Sequence, residues 1–158
     1  MLQRAVKFLW TILSQNMRRR LVRISQPTFT VSAAAVIFDA KGRILLLKHV
    51  LRATSGWGLP GGFLKKGEQA ADAIKREIFE ETGLELANLE MFRIRTFGRH
   101  VEILFSAYAA GTPRILSREI TDFGWFRPDN LPNDLPHGQS QIIRELLSRS
   151  FDNFPPAD

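Results

Sequence analysis

The chain has 158 residues, 44% of them apolar and 24% charged, an ordinary composition for one globular domain with a real core. It has no cysteine, which excludes disulfides, thiolate nucleophiles and cysteine-ligated zinc. No apolar run approaches the roughly 18–20 residues of a membrane span. The net charge of +6 sits at the front. Residues 1–30 hold Arg4, Lys7, Arg18, Arg19, Arg20 and Arg23, six of the 22 basic residues and none of the 16 acids, so the remainder carries 16 of each sign. A neutral remainder gives no reason to expect specific nucleic-acid binding.

In chain order, residues 1–27 read as a basic amphipathic helical extension. Leu2, Val6, Leu9, Trp10, Leu13, Met17 and Leu21 recur on one side, Arg4, Lys7, Gln15, Arg18 and Arg19 lie largely opposite, and Pro27 ends the segment. Three roles stay open for it. It packs on the domain or on a second copy in a homodimer, it lies on an anionic membrane surface, or it is a targeting peptide, which the lack of a small-residue cleavage site disfavours. The corresponding expectation for location is cytoplasmic, with a peripheral place at the inner membrane face as the variant. Residues 28–150 form the main domain and 151–158 a tail.

Within the domain, Phe29 to Phe38 reads as a strand, Asp39 to Gly42 as a hairpin turn and Arg43 to His49 as a second strand. A loop from Leu51 to Gly67 leads into a helix at about Gln69 to Thr82, which Gly83 ends as a left-handed cap. Met91 to Phe97 and His100 to Ala109 are two strands around Gly98-Arg99. Phe123 to Phe126 is a short last strand, and Ser140 to Ser150 an amphipathic helix. This mixed order with several hairpins indicates an α+β layered sandwich rather than a doubly wound parallel sheet.

The chemistry concentrates between Gly62 and Leu84. On the predicted helix Glu77, Glu80 and Glu81 stand at i, i+3 and i+4, so their carboxylates share a face. Like charges there cost a few tenths of a kcal/mol per pair, and a cation resolves the conflict. Hard oxygen donors suit magnesium, with manganese as the alternative. The full spacing is Gly62, five residues, Glu68, seven residues, Arg76-Glu77-Ile78, one residue, Glu80-Glu81, one residue, Gly83-Leu84. It fills every fixed position of the signature of the Nudix hydrolase superfamily, and the chain resembles that family over roughly residues 30–148.

The resemblance implies an α/β/α sandwich with a curved mixed sheet between helices. It implies metal-dependent hydrolysis of a nucleoside diphosphate linked to another moiety, by water attack on a phosphoanhydride. By the family pattern Glu80 and Glu81 are the main metal ligands, joined by the backbone carbonyl of Gly61. Glu77 completes the metal shell or acts as base, and Glu68 supports the metal or pairs with Arg76, which orients the glutamates. Glu119, in a polar loop six residues before Trp125, matches a late ligand or base. Glu102, beside His100 on a strand, is the alternative and otherwise a substrate contact. Lys48, His49, Arg52, Phe97, Arg99 and His100 are further substrate-contact candidates.

Marks of the family's ADP-ribose, dinucleoside polyphosphate and coenzyme A subgroups are missing. A nucleoside triphosphate, a nucleotide sugar and an RNA 5′ end therefore stay open as substrates. Two rivals are a catalytically weak module for nucleotide sensing or protein binding, and a membrane-associated hydrolase of a lipid-linked diphosphate.

Overall fold

A computed structural model describes residues 7, 8, 10–50 and 56–152. At its centre is strand β1 (Thr30–Phe38), with Ser32 to Ile37 buried on both faces. Period-two alternation explains why. Ala33, Ala35 and Ile37, with Leu45 and Leu47 of β2 (Ile44–His49), enter one apolar cluster; Ala34, Val36, Ile44 and Leu46 enter another on the opposite face. Helix α2 (Ala70–Thr82) covers the first cluster with Ile74 and Ile78, while α3 (His137–Asp152) covers the second with Ile142, Ile143 and Leu146. The result is a mixed sheet between helices, an α+β sandwich.

Around β1 the pairing is mixed. It runs antiparallel to β2, antiparallel to β4 (Gly61–Phe63), and parallel to β6 (His100–Ala109) from Thr30↔His100 to Phe38↔Tyr108. The strand order is β3-β2-β1-β6-β5, where β3 is Trp57–Gly58 and β5 is Leu86–Phe97; β7 (Ile120–Phe126) pairs with β2. The β1–β2 turn is held by Asp39, whose Oδ1 accepts the backbone N–H groups of Lys41 (2.9 Å) and Arg43 (2.8 Å), an Asx-type closure.

Several elements differ from the sequence expectation. The Leu51–Gly67 loop contains β3 and β4. Three of the five residues in β3 and β4 are glycine, which depresses any local strand signal, and the pairing comes from neighbouring strands rather than propensity. Strand β5 begins at Leu86, five residues early, because two register shifts and a positive φ at Asn88 break its alternation. Strand β7 starts at Ile120 and α3 at His137, each three residues early.

At the front, residues 10–12 are helical and the helix is interrupted at Leu13–Ser14. Ser14 then caps a second helix, α1 (Gln15–Ser25), its Oγ accepting the Met17 N–H at 3.3 Å. No residue of α1 is buried. Leu2, Arg4, Val6, Leu9, Arg52 and residues 153–158 lie outside the described residues.

The tightest backbone approach is at Gly61, where a Cβ would lie 2.2 Å from the Ala33 carbonyl oxygen and 2.7 Å from Ala34 Cα. Both atoms are backbone of the buried strand β1, which leaves nothing flexible to yield. Gly61→Ala is therefore expected to destabilise the fold by about 1–3 kcal/mol, the usual range for overpacking. Denaturant unfolding checks this, and wild-type stability in that variant would refute it.

Candidate active site

Helix α2 crosses one face of the sheet, and its buried stripe runs Ala73, Ile74, Ile78, Glu81, Thr82. Glu81 occupies the place of an apolar residue in that stripe and is only 6% exposed, whereas the Glu80 side chain is half-exposed. A carboxylate in such a place is costly unless its charge is compensated. The helix ends at Gly83, with φ +71° and its N–H donating to the Phe79 carbonyl. The last carbonyls of α2 are satisfied by the chain leading to β7: Leu116 N–H donates to Glu81 O and Arg114 N–H to Thr82 O, each at 3.0 Å.

Glycine on β4 faces the acids. A Cβ at Gly62 would lie 2.4 Å from both Cδ and Oε1 of Glu77, so the carboxylate rests directly on the glycine backbone. Arg76 gathers the rest. Its Nε donates to Glu68 Oε1 at 2.7 Å and its Nη2 to Glu68 Oε2 at 3.0 Å, while Nη1 reaches Glu77 at 2.8 Å and Glu80 at 3.3 Å. The bidentate fork is the geometry that suits guanidinium and carboxylate. These hydrogen bonds, that to Glu68 foremost, raise the Arg76 pKa above its ordinary value. In turn Arg76, followed by the Lys65 backbone N–H, holds Glu68 down to about 2.

Among the described residues no three acids or histidines converge into a ready metal cage. Instead Arg76 draws Glu68, Glu77 and Glu80 around itself. The donor set nonetheless fits a hard divalent cation. All its side-chain donors are carboxylate oxygens, and Glu77 lies in a cradle that any Cβ at Gly62 would fill.

Beside Gly61 and Gly62 a cleft opens on the other side of β4, lined by Ser32, Phe63, Arg95, Glu102 and Gln139. Arg95 Nε donates to Glu102 Oε2 at 2.5 Å, and its guanidinium lies 4.5 Å over the Phe97 ring. His100 stacks on Phe97 (6.1 Å, 8° between planes) and meets Phe63 edge-on. Both its nitrogens are engaged by hydroxyls, Nδ1 with Thr30 Oγ1 at 2.8 Å and Nε2 with Ser32 Oγ at 2.9 Å. Gln139 Oε1 accepts the Leu59 N–H at 2.7 Å, tying α3 to the glycine strand.

The outlying candidates fall elsewhere. Lys48 lies 5.7 Å over the Trp57 ring, and the His49 N–H donates to Gly56 O; neither lines the cleft. Arg99 borders a shallow hollow with Phe29, Thr30, Phe97 and His100. Glu119 is exposed, and its backbone carbonyl accepts the Val50 N–H. The preceding stretch of its loop is fastened to the end of α2 by the Arg114 and Leu116 N–H groups.

Sequence reasoning missed Ser32, Phe63, Arg95 and Gln139. Arg95 was within reach: counting back from the Gly98-Arg99 turn pairs Phe97 with His100 and Arg95 with Glu102, as the register shows. Ser32 and Gln139 carried no local signal.

The Arg76–Glu68 pair has a definite pH sign. Because the folded Glu68 carboxyl is depressed from 4.5 to about 2, its contribution to stability is present above the unfolded value and is lost as pH falls toward about 2. In Arg76→Gln the Glu68 titration, followed by carboxyl NMR, is expected to move back toward the ordinary value. A Glu68 still titrating near 2 in that variant would show that Arg76 is not the cause.

Comparison with known proteins places this geometry. The NUDIX domain profile matches residues 28–146. A "NAD-capped RNA hydrolase NudC" of Vibrio atlanticus is 32% identical over 118 residues, 73% of this chain but only 43% of that protein, so the chain spans less than half of that relative's length. A "MutT-like protein" of Streptomyces ambofaciens is 33% identical over 68% of this chain and 70% of its own. Among solved structures, a MutT NUDIX hydrolase from Burkholderia pseudomallei superposes with TM-score 0.67 at 29% identity, covering 76% of this chain and 99% of that one. With the match spanning strands, glycine pair and glutamate helix alike, the chain belongs to the NUDIX domain family.

Proposed function

We propose that this chain hydrolyses the phosphoanhydride of a nucleoside diphosphate joined to another group. A water oxygen bonds to one phosphorus, the bridging P–O bond breaks, the bridging oxygen leaves on the other phosphate, and the proton of the water passes to a carboxylate base. The observation that carries the reading is the adjacency of three glutamates on α2, the bare backbone of Gly61-Gly62, and a cleft opening from the same glycine strand.

Glu80, Glu81 and the Gly61 carbonyl would hold magnesium or manganese, with Glu77 and Glu68 completing the donor set. Bound there, the cation neutralises phosphate charge and acidifies water. Arg76 acts as a positioning residue, setting the glutamate rotamers through Glu68. Glu77 and Glu119 are the two candidates for the base. The cleft supports a nucleoside as the recognised part: Arg95 supplies donors, Glu102 an acceptor, and Phe63 an aromatic ring. The Vibrio relative, a hydrolase of NAD-capped RNA, favours a nucleotide substrate as well.

A panel of nucleoside triphosphates, nucleotide sugars, dinucleotides and capped RNA, assayed with magnesium, tests the reading. Glu80→Gln and Glu81→Gln are expected to lose about a hundredfold or more in kcat, as loss of a metal-linked carboxylate does. Turnover of no member by the wild type, or full turnover by Glu81→Gln, would sink it. Within the same panel Glu119→Gln is expected to lower kcat, and Glu102→Gln chiefly to raise KM. The opposite split would exchange the two roles.

A further inference from the structure

We infer that α1 and the helical turn before it dock this protein on an anionic lipid surface, a property separate from the catalytic reading. In α1 Met17, Leu21 and Ile24 fall within about 60° of arc on a wheel of 100° per residue. Arg19 and Arg23 lie opposite, and Arg18 and Arg20 flank the apolar sector. All three apolar side chains stand in solvent, Ile24 at 83% exposure, as do Phe8, Trp10 and Ile12 ahead of the Ser14 break. The Arg18 Nη2 donates to the Thr11 carbonyl at 2.9 Å, holding the two helical pieces together across that break. No described helix is long and apolar enough to cross a membrane.

Charge selects the occupant. A second copy would bring six cations and no anion against the same six. The chain's own domain is charge-neutral and buries no residue of α1. An RNA strand would satisfy the arginines but leave the apolar sector in water. Anionic lipid meets both demands: apolar side chains enter the acyl boundary while flanking arginines reach headgroups.

Position gives the docking a consequence. Only Gln26 to Phe29 separate α1 from β1, a span of at most about 14 Å. Exposed Phe29 and Phe97 border the hollow beside His100, so that hollow lies close to the docked surface.

The test uses the full chain with phosphatidylcholine vesicles, with and without phosphatidylglycerol. Co-sedimentation is expected only with the anionic vesicles. Arg19→Gln/Arg20→Gln/Arg23→Gln is expected to weaken it by about a hundredfold, given the usual contribution of each cation near an anionic surface. Met17→Ser/Leu21→Ser/Ile24→Ser is expected to abolish it. Hydrolysis of a soluble nucleotide without vesicles should be unchanged in both variants, which reports on folding. If no form hydrolyses any nucleotide, the catalytic reading fails while the vesicle result stands by itself.

Absence of co-sedimentation, or binding untouched by either variant, overturns the inference. So does a wild-type dimer in sedimentation equilibrium that the serine variant dissolves without changing vesicle binding. Loss of RNA binding in the glutamine variant, with vesicle binding intact, overturns it equally.

Discussion

No side-chain carbon fits between the Gly61-Gly62 strand and its neighbours, and much of the site is arranged around that fact. Gly61 touches the β1 backbone and Gly62 carries the Glu77 carboxylate, so two peptide units are clamped between a buried strand and an acidic helix. The clamp sets how near α2 can come to the sheet, and so where Glu77, Glu80 and Glu81 stand. On its other side it forms one wall of the cleft that holds Arg95 and Glu102. Acid cluster and cleft share a single strand of three residues, and neither can shift without the other.

The acids are held in place by competition. Three carboxylates on one helical face repel, and a fourth, Glu68, comes in from the preceding turn; Arg76 answers Glu68, Glu77 and Glu80 with one planar group. Glu81 differs because it belongs to the buried stripe rather than the exposed flank. The chain from Gly111 to Glu119 adds backbone support, closing the last carbonyls of α2 with the N–H groups of Arg114 and Leu116. Glu119, three residues on, is held by bonds of its own: its N–H donates to Ser117 Oγ and its carbonyl accepts the Val50 N–H.

Much of this was legible in the residues. The i, i+3, i+4 spacing and Gly83 placed α2 to within a residue, and strand alternation placed β1, β2 and β6 nearly as well. Positions fixed by partners far along the chain were not legible. Strands β3 and β4 exist because β2 and β1 offer open edges, and glycine-rich sequence gives no hint of that. Strand β5 lost its opening five residues to bulges, which spoil period-two reading. Ser32 and Gln139 are ordinary polar residues whose place in the cleft is created by the parallel β1–β6 register and by the docking of α3. The interruption at Ser14 was likewise hidden, since apolar recurrence continues through it.

The hollow and the cleft are written in successive rows across three strands. Thr30, His100 and Phe97 lie abreast, then Ser32, Glu102 and Arg95, with the odd-numbered neighbours Ala33 and Ile103 turned into the core beneath α2. The lining can therefore be changed one residue at a time at alternate positions without disturbing the core face. A single inserted or deleted residue in β6 would exchange the two faces and send Glu102 into an oil-like interior. Diversification along this lineage is expected to proceed through substitution within the rows, with length variation confined to the turns that join them.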